Sequence, residues 1–104
     1  KLGLIENFIE TLLPAGWDTW DLDRRLMFWS GGFGPEQKGT MRRTRVCALE
    51  IWQELFKGDP KNYTTQHARE ITGLLKSLPE WSMTTATNCG ALYGRQRGFI
   101  RKER

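Results

Sequence analysis

The sequence predicts one α+β domain, mainly helical, with about four helices and a C-terminal β-hairpin. Three features carry that expectation. Apolar residues recur at helical spacing in successive segments before Pro79, the stretch from Trp81 to Arg101 is rich in Thr, Gly and aromatics, and Gly or Pro punctuates the junctions. A chain of 104 residues with 38% hydrophobic content and five Trp is long and apolar enough to bury a core of its own.

Leu4, Ile5, Phe8, Ile9, Leu12 and Leu13 place an amphipathic helix over residues 3–13, which Pro14 stops. After the Pro14-Ala15-Gly16 turn, Asp18 or Asp21 caps a short second helix whose Leu22, Leu26 and Trp29 share a face, ending at Gly31-Gly32. Ser30 to Thr40, with four glycines and Pro35, reads as a loop. From about Arg43 the helical period returns as Ala48, Ile51, Trp52, Leu55 and Phe56, closed by Gly58 and Asp59-Pro60. Tyr63 and Thr64 read as staple and N-cap of a fourth helix, with Ala68, Ile71, Leu75 and Leu78 inward and Pro79 ending it. The Asn88-Cys89-Gly90 and Tyr93-Gly94 segments then read as the loop of a hairpin. Helix, turn, helix and hairpin is the order of a winged helix-turn-helix.

The formal charge of +4 is unevenly placed. Residues 1–37 carry −3, residues 38–45 carry +4 (Lys38, Arg42, Arg43, Arg45), residues 46–94 carry −1, and residues 95–104 carry +4. Two basic clusters on a slightly acidic body suit a domain with one face for a polyanion, although a solvated surface with a basic tail has the same signature. The fourth helix sharpens the choice. On a helical wheel Gln66, Arg69, Gly73 and Lys76 lie opposite the apolar face, flanked by Thr65 and Thr72. Gln and Arg read base edges, Thr bonds base or phosphate, and Lys neutralises phosphate. Arg95 and Arg97 beside Gly94 and Gly98 suit a wing that grips the sugar-phosphate backbone, with Arg101 beyond and Arg42, Arg43 and Arg45 as further backbone clamps. Gly73 costs a helix interior about 1 kcal/mol, so either a ligand or a neighbouring helix must come close to it.

Several chemistries are excluded or disfavoured. Two Cys and one His cannot complete a tetrahedral zinc site, so no metal is expected. Gly34-Pro35-Glu36-Gln37-Lys38-Gly39-Thr40 lacks P-loop spacing and follows a helix rather than a strand, so no nucleotide cofactor is expected. His67 has no acid or nucleophile nearby in sequence and reads as a half-buried structural residue; no catalytic constellation and no small-molecule substrate stand out. Glu50 and Glu54 are expected to face solvent or pair with nearby Arg. With no secretory signal and no apolar run near the ~18 residues of a membrane span, Cys47 and Cys89 are expected to be reduced thiols in a cytoplasmic protein. The opening Lys1-Leu2-Gly3 without Met suggests a domain cut from a longer chain.

One resemblance covers most of the chain. The segment Arg45-Val46-Cys47-Ala48-Leu49-Glu50-Ile51-Trp52-Gln53-Glu54, with Ala68-Arg69-Glu70-Ile71, Pro79-Glu80-Trp81 and Tyr93-Gly94-Arg95-Gln96-Arg97-Gly98-Phe99, resembles the C-terminal region of virulence-associated E family proteins. These are phage- and mobile-element-encoded primase/helicase-like proteins with an upstream P-loop ATPase. The resemblance implies a domain appended to that ATPase, with DNA and the ATPase domain itself as partners. It also implies that Trp52, Trp81, Tyr93 and Phe99 are core and wing anchors rather than base-stacking platforms. A different class of function, a protein-interaction module docking onto the ATPase or a replication partner, fits the same fold.

Overall fold

The computed structural model describes residues 2–31 and 39–102. Most of the predicted loop from Ser30 to Thr40 lies outside the described residues, as do Lys38 and Arg104 of the basic clusters. Helix α1 (Leu2–Glu10) buries Ile5, Phe8 and Ile9 along one stripe. It ends three residues earlier than the apolar spacing predicts, because Leu13 leaves the helix for an isolated antiparallel bridge. There the Leu13 N–H donates to Met41 O at 2.7 Å and Met41 N–H donates back at 2.9 Å. A single 3-10 turn (Trp17–Thr19) leads to α2 (Leu22–Trp29), whose N-cap Asp21 accepts from the Arg24 N–H at 2.9 Å.

The third helix departs most from expectation. Arg45–Cys47 forms a strand, β1, and the helix α3 (Ala48–Glu50) starts only after it. The strand wins because β-branched Val46 sits opposite Phe99 with both side chains buried, and the Arg101 N–H donates to Thr44 O at 2.8 Å just before it. From Ile51 to Leu55 the helix widens into a π-type turn, with the Phe56 N–H reaching back five residues to Ile51 O. The wider turn rotates the buried face. Glu50, Ile51, Gln53 and Glu54 are sealed, whereas Trp52, Leu55 and Phe56, expected inward, are half-buried.

Another 3-10 turn (Pro60–Asn62) precedes α4 (Thr65–Lys76). Its start is a reciprocal capping box, with Thr64 Oγ1 accepting from the His67 N–H at 3.2 Å and His67 Nδ1 accepting from the Thr64 N–H at 3.3 Å. Tyr63 packs on the core beneath it, Ile71 and Leu75 are buried, and Gln66, Arg69, Gly73 and Lys76 are exposed, as the wheel predicts. Strands β2 (Trp81–Asn88) and β3 (Arg95–Arg101) complete a three-stranded antiparallel sheet in the order β1-β3-β2. Val46, Phe99 and Met83 are in register across it, and the β2–β3 pairing slips between Thr84 and Thr87. Gly98 lets β1 and β3 close, since a Cβ there would stand 2.6 Å from Val46 O.

The main core joins Ile5, Phe8 and Ile9 to Val46, Ile51, Ile71, Leu75, Trp81 and Phe99. A second cluster unites Leu13, Trp17 and Trp20 with Phe28 and Trp29. Among the described residues four helices and one small antiparallel sheet thus make an α+β domain with a radius of gyration of 13.2 Å. Among the described residues no helix is long and apolar enough to cross a membrane.

Candidate nucleic-acid interface

A cleft of about 690 Å³ runs between α4 and the β2–β3 hairpin. Helical periodicity brings Thr65, Arg69, Thr72 and Lys76 to one side of it, strand alternation brings Arg97 to the other, and Ala68, Met83 and Phe99 supply apolar surface. Among the described residues three cations and no acid line this space. Among the described residues Arg69, Lys76 and Arg97 have no ion-pair partner, so their charge is uncompensated at a concave surface, where field lines concentrate. Arg95, exposed at the start of β3 opposite Asn88, is likewise without an ion pair there. Gln66 stands outside the cleft with its Nε2 donating to Glu70 Oε1 at 3.4 Å. Gly73 lines the cleft, and a Cβ on it would meet nothing within 4 Å. No neighbouring helix therefore needs a glycine there, which removes the packing explanation.

The other sequence-predicted clamps lie elsewhere. Arg43, expected at the surface, is 3% exposed, its Nη1 bonded to Glu50 Oε2 and its guanidinium 4.8 Å from the Phe8 ring centre. Arg45 pairs with Asp18 at 2.6 Å and Arg42 with Glu80 at 4.0 Å. These three arginines line a separate cleft of about 230 Å³ to which α4 contributes nothing. The cause is β1: as strand rather than helix entrance, it carries the basic cluster toward Asp18 and the aromatic cluster instead of toward α4. Arg101 is also withdrawn. Its Nη1 is 2.9 Å from Glu10 and 3.6 Å from Glu80, its Nε donates to Arg43 O at 2.8 Å, and it stacks on Trp81.

Sequence reasoning misses the largest polar feature, a buried ion network. Arg25 is fully buried, with Nη1 3.3 Å from Glu50 Oε2 and 3.0 Å from Glu54 Oε2, and Nη2 donating to Trp17 O at 2.9 Å. Trp29 Nε1 donates to Glu54 Oε1 at 2.8 Å and the Tyr93 hydroxyl to Glu54 Oε2 at 2.7 Å. Glu50 and Glu54 thus pair with arginine inside the protein. A signal for Arg25 was present: it falls at the i+3 position of the Leu22, Leu26, Trp29 stripe, where a charge must be buried or break the stripe. Burial and neighbouring Glu50 push the Glu54 carboxyl above its ordinary value, while Arg25, Trp29 and Tyr93 act the other way. The network joins α2, α3 and the turn before β3, and touches no cleft on α4. His67, half-buried, stacks on Trp52 with ring centres 4.3 Å apart and holds the capping box, a structural role.

No family model matches the chain. An alignment of 81 positions that covers 73% of this chain is 27% identical to a prolactin receptor of Meleagris gallopavo, and the match covers 10% of that protein. The chain therefore spans about a tenth of the length of the curated relative it matches.

Proposed function

We propose that this chain is a winged-helix DNA-binding domain, with α4 as recognition helix and the β2–β3 hairpin as wing, belonging to a mobile-element primase/helicase-like replication protein. The observation that carries the reading is the cleft between α4 and β3, where Arg69, Lys76 and Arg97, from segments distant in sequence, converge without an acid or an ion pair among the described residues. The run β1, α3, α4, β2, β3 that follows α1 and α2, with sheet order β1-β3-β2, supports a winged-helix reading in which α2 is an addition. The DNA-facing set is Thr65, Gln66, Arg69, Thr72, Lys76, Arg95 and Arg97, with phosphate held by the cations and base edges open to Gln66 and Arg69.

The test is fluorescence anisotropy with duplex, forked and single-stranded DNA at low salt. Four uncompensated cations predict a log–log salt slope of roughly −4, so affinity falls on the order of a hundredfold from about 50 to 200 mM salt. Arg97→Glu and Arg69→Glu should weaken binding and flatten the slope, and Arg42→Glu, outside the cleft, should not. Absence of binding to all three DNA forms removes the reading. If Arg97→Glu instead abolishes association with a P-loop ATPase domain while leaving DNA binding unchanged, the cleft is a protein-docking surface.

A further inference from the structure

The basic cluster turned away from α4 surrounds a different chemistry. Cys47, at the end of β1, and Cys89, just after β2, are 42 positions apart in sequence yet share one small buried cluster with Tyr93, and both are free thiols. Their side chains interact directly. Cys89, but not Cys47, lines the cleft of about 230 Å³ whose walls include Arg42, Arg43 and Arg45. Arginine beside a thiol stabilises the thiolate, the reactive form of cysteine.

We propose that Cys89 and Cys47 form a peroxide-sensitive dithiol, with Cys89 the attacked sulfur and Cys47 the resolving one, which closes into an intramolecular disulfide joining the β2–β3 hairpin to the β1–α3 junction. The acidities run in the required order. The bond from Cys47 lowers Cys89, with Arg45 and Arg43 adding smaller effects against its burial and the nearby Glu50, whereas the same bond, followed by burial, raises Cys47. The narrow cleft and the near-complete burial of Cys89 select a small oxidant, hydrogen peroxide or a small hydroperoxide. In the first step the Cys89 thiolate attacks one peroxide oxygen, the O–O bond breaks, and water leaves after protonation; sulfur is oxidised to sulfenic acid and peroxide is reduced. In the second, Cys47 sulfur attacks Cys89 sulfur, its proton passes to the departing hydroxyl, the S–O bond breaks, and a second water leaves. Two thiols and one peroxide yield one disulfide and two waters.

The experiment treats the folded chain with hydrogen peroxide, blocks residual thiols with an alkylating agent, and reads intact mass and peptides. Expected are a loss of ~2 Da with no alkyl adduct, a Cys47–Cys89 cross-linked peptide in a monomer, and a rise in unfolding temperature that reductant reverses. In Cys47→Ser the sulfenic acid should accumulate on Cys89 and be trapped by dimedone, and in Cys89→Ser Cys47 should react at least tenfold more slowly. The proposal is overturned if the folded protein keeps two alkylatable thiols under conditions that oxidise the urea-unfolded chain, if the cross-link forms only between chains, or if Cys47 reacts first. The wild-type measurement decides the matter even if a serine variant fails to fold.

Discussion

Arg25 Nη1 stands 3.0 Å from Glu54 Oε2 with both side chains sealed from solvent. Glu50 has Arg43 as a second partner, but Arg25 is the only cation within ion-pair distance of Glu54 among the described residues. Arg25→Met should therefore leave a buried carboxylate without a counter-charge and cost about 3–5 kcal/mol, a large part of the stability of a domain this size. Urea unfolding followed by tryptophan fluorescence checks it. A loss under about 1 kcal/mol would mean the network relaxes without Arg25.

Tyr93 sets an alkaline limit. Burial, then Glu54, lifts its phenol well above the ordinary tyrosine value, so the fold requires the neutral hydroxyl that donates to Glu54. A folded-state value raised above the unfolded one contributes stability that is complete below about pH 10 and drains away as pH climbs beyond it, at about 1.4 kcal/mol per pH unit. The urea midpoint of the native chain should fall more steeply above about pH 10 than that of Tyr93→Phe. Parallel curves would count against the assignment.

The start of α4 rests on Thr64. Thr64→Ala should cost about 1 kcal/mol and Thr64→Ser should recover most of it, because only the hydroxyl oxygen accepts from the His67 N–H. Hydrogen exchange at the first-turn amides of α4 reads the effect locally. His67→Gln should preserve the reciprocal bond better than His67→Ala.

Gly73 separates stability from binding. With open space around its Cβ position, Gly73→Ala should stabilise the domain by about 1 kcal/mol through helix propensity. It adds a methyl to the wall of the cationic cleft, so DNA affinity should drop severalfold at the same time. Increased stability with unchanged affinity would put the DNA backbone away from this turn of the helix.

Segments whose signal is local were legible in the sequence. The apolar stripe of α1, the Asp21 and Thr64 caps, the exposed face of α4 and the hairpin between Asn88 and Gly94 follow from period, cap chemistry and turn residues. What was hidden depends on partners distant in sequence. Arg45-Val46-Cys47 runs straight into a helical pattern, and only pairing with Ile100, Phe99 and Gly98 makes it a strand. From that one strand follow the displacement of Arg42, Arg43 and Arg45 from the α4 face and their gathering around Cys89. The inward turn of Glu50 and Glu54 was equally invisible, since it depends on Arg25 and Arg43 from distant segments, and the π-type turn from Ile51 to Leu55 starts after Glu50 and includes Glu54. In the candidate interface the α4 residues and Arg97 were readable from the chain, while the separation of free from neutralised arginines was not.

The buried ion network also fixes where this domain can be cut. A fragment starting near Thr44 would keep every strand, α3 and α4, and on a diagram would pass for a complete minimal unit. It would lack Arg25, Arg43 and the Trp29 indole, and so hold two carboxylates in an apolar interior without the cations that pair with them. The first thirty residues are structural ballast for α3, and expression boundaries drawn from strands and recognition helix alone should yield insoluble protein.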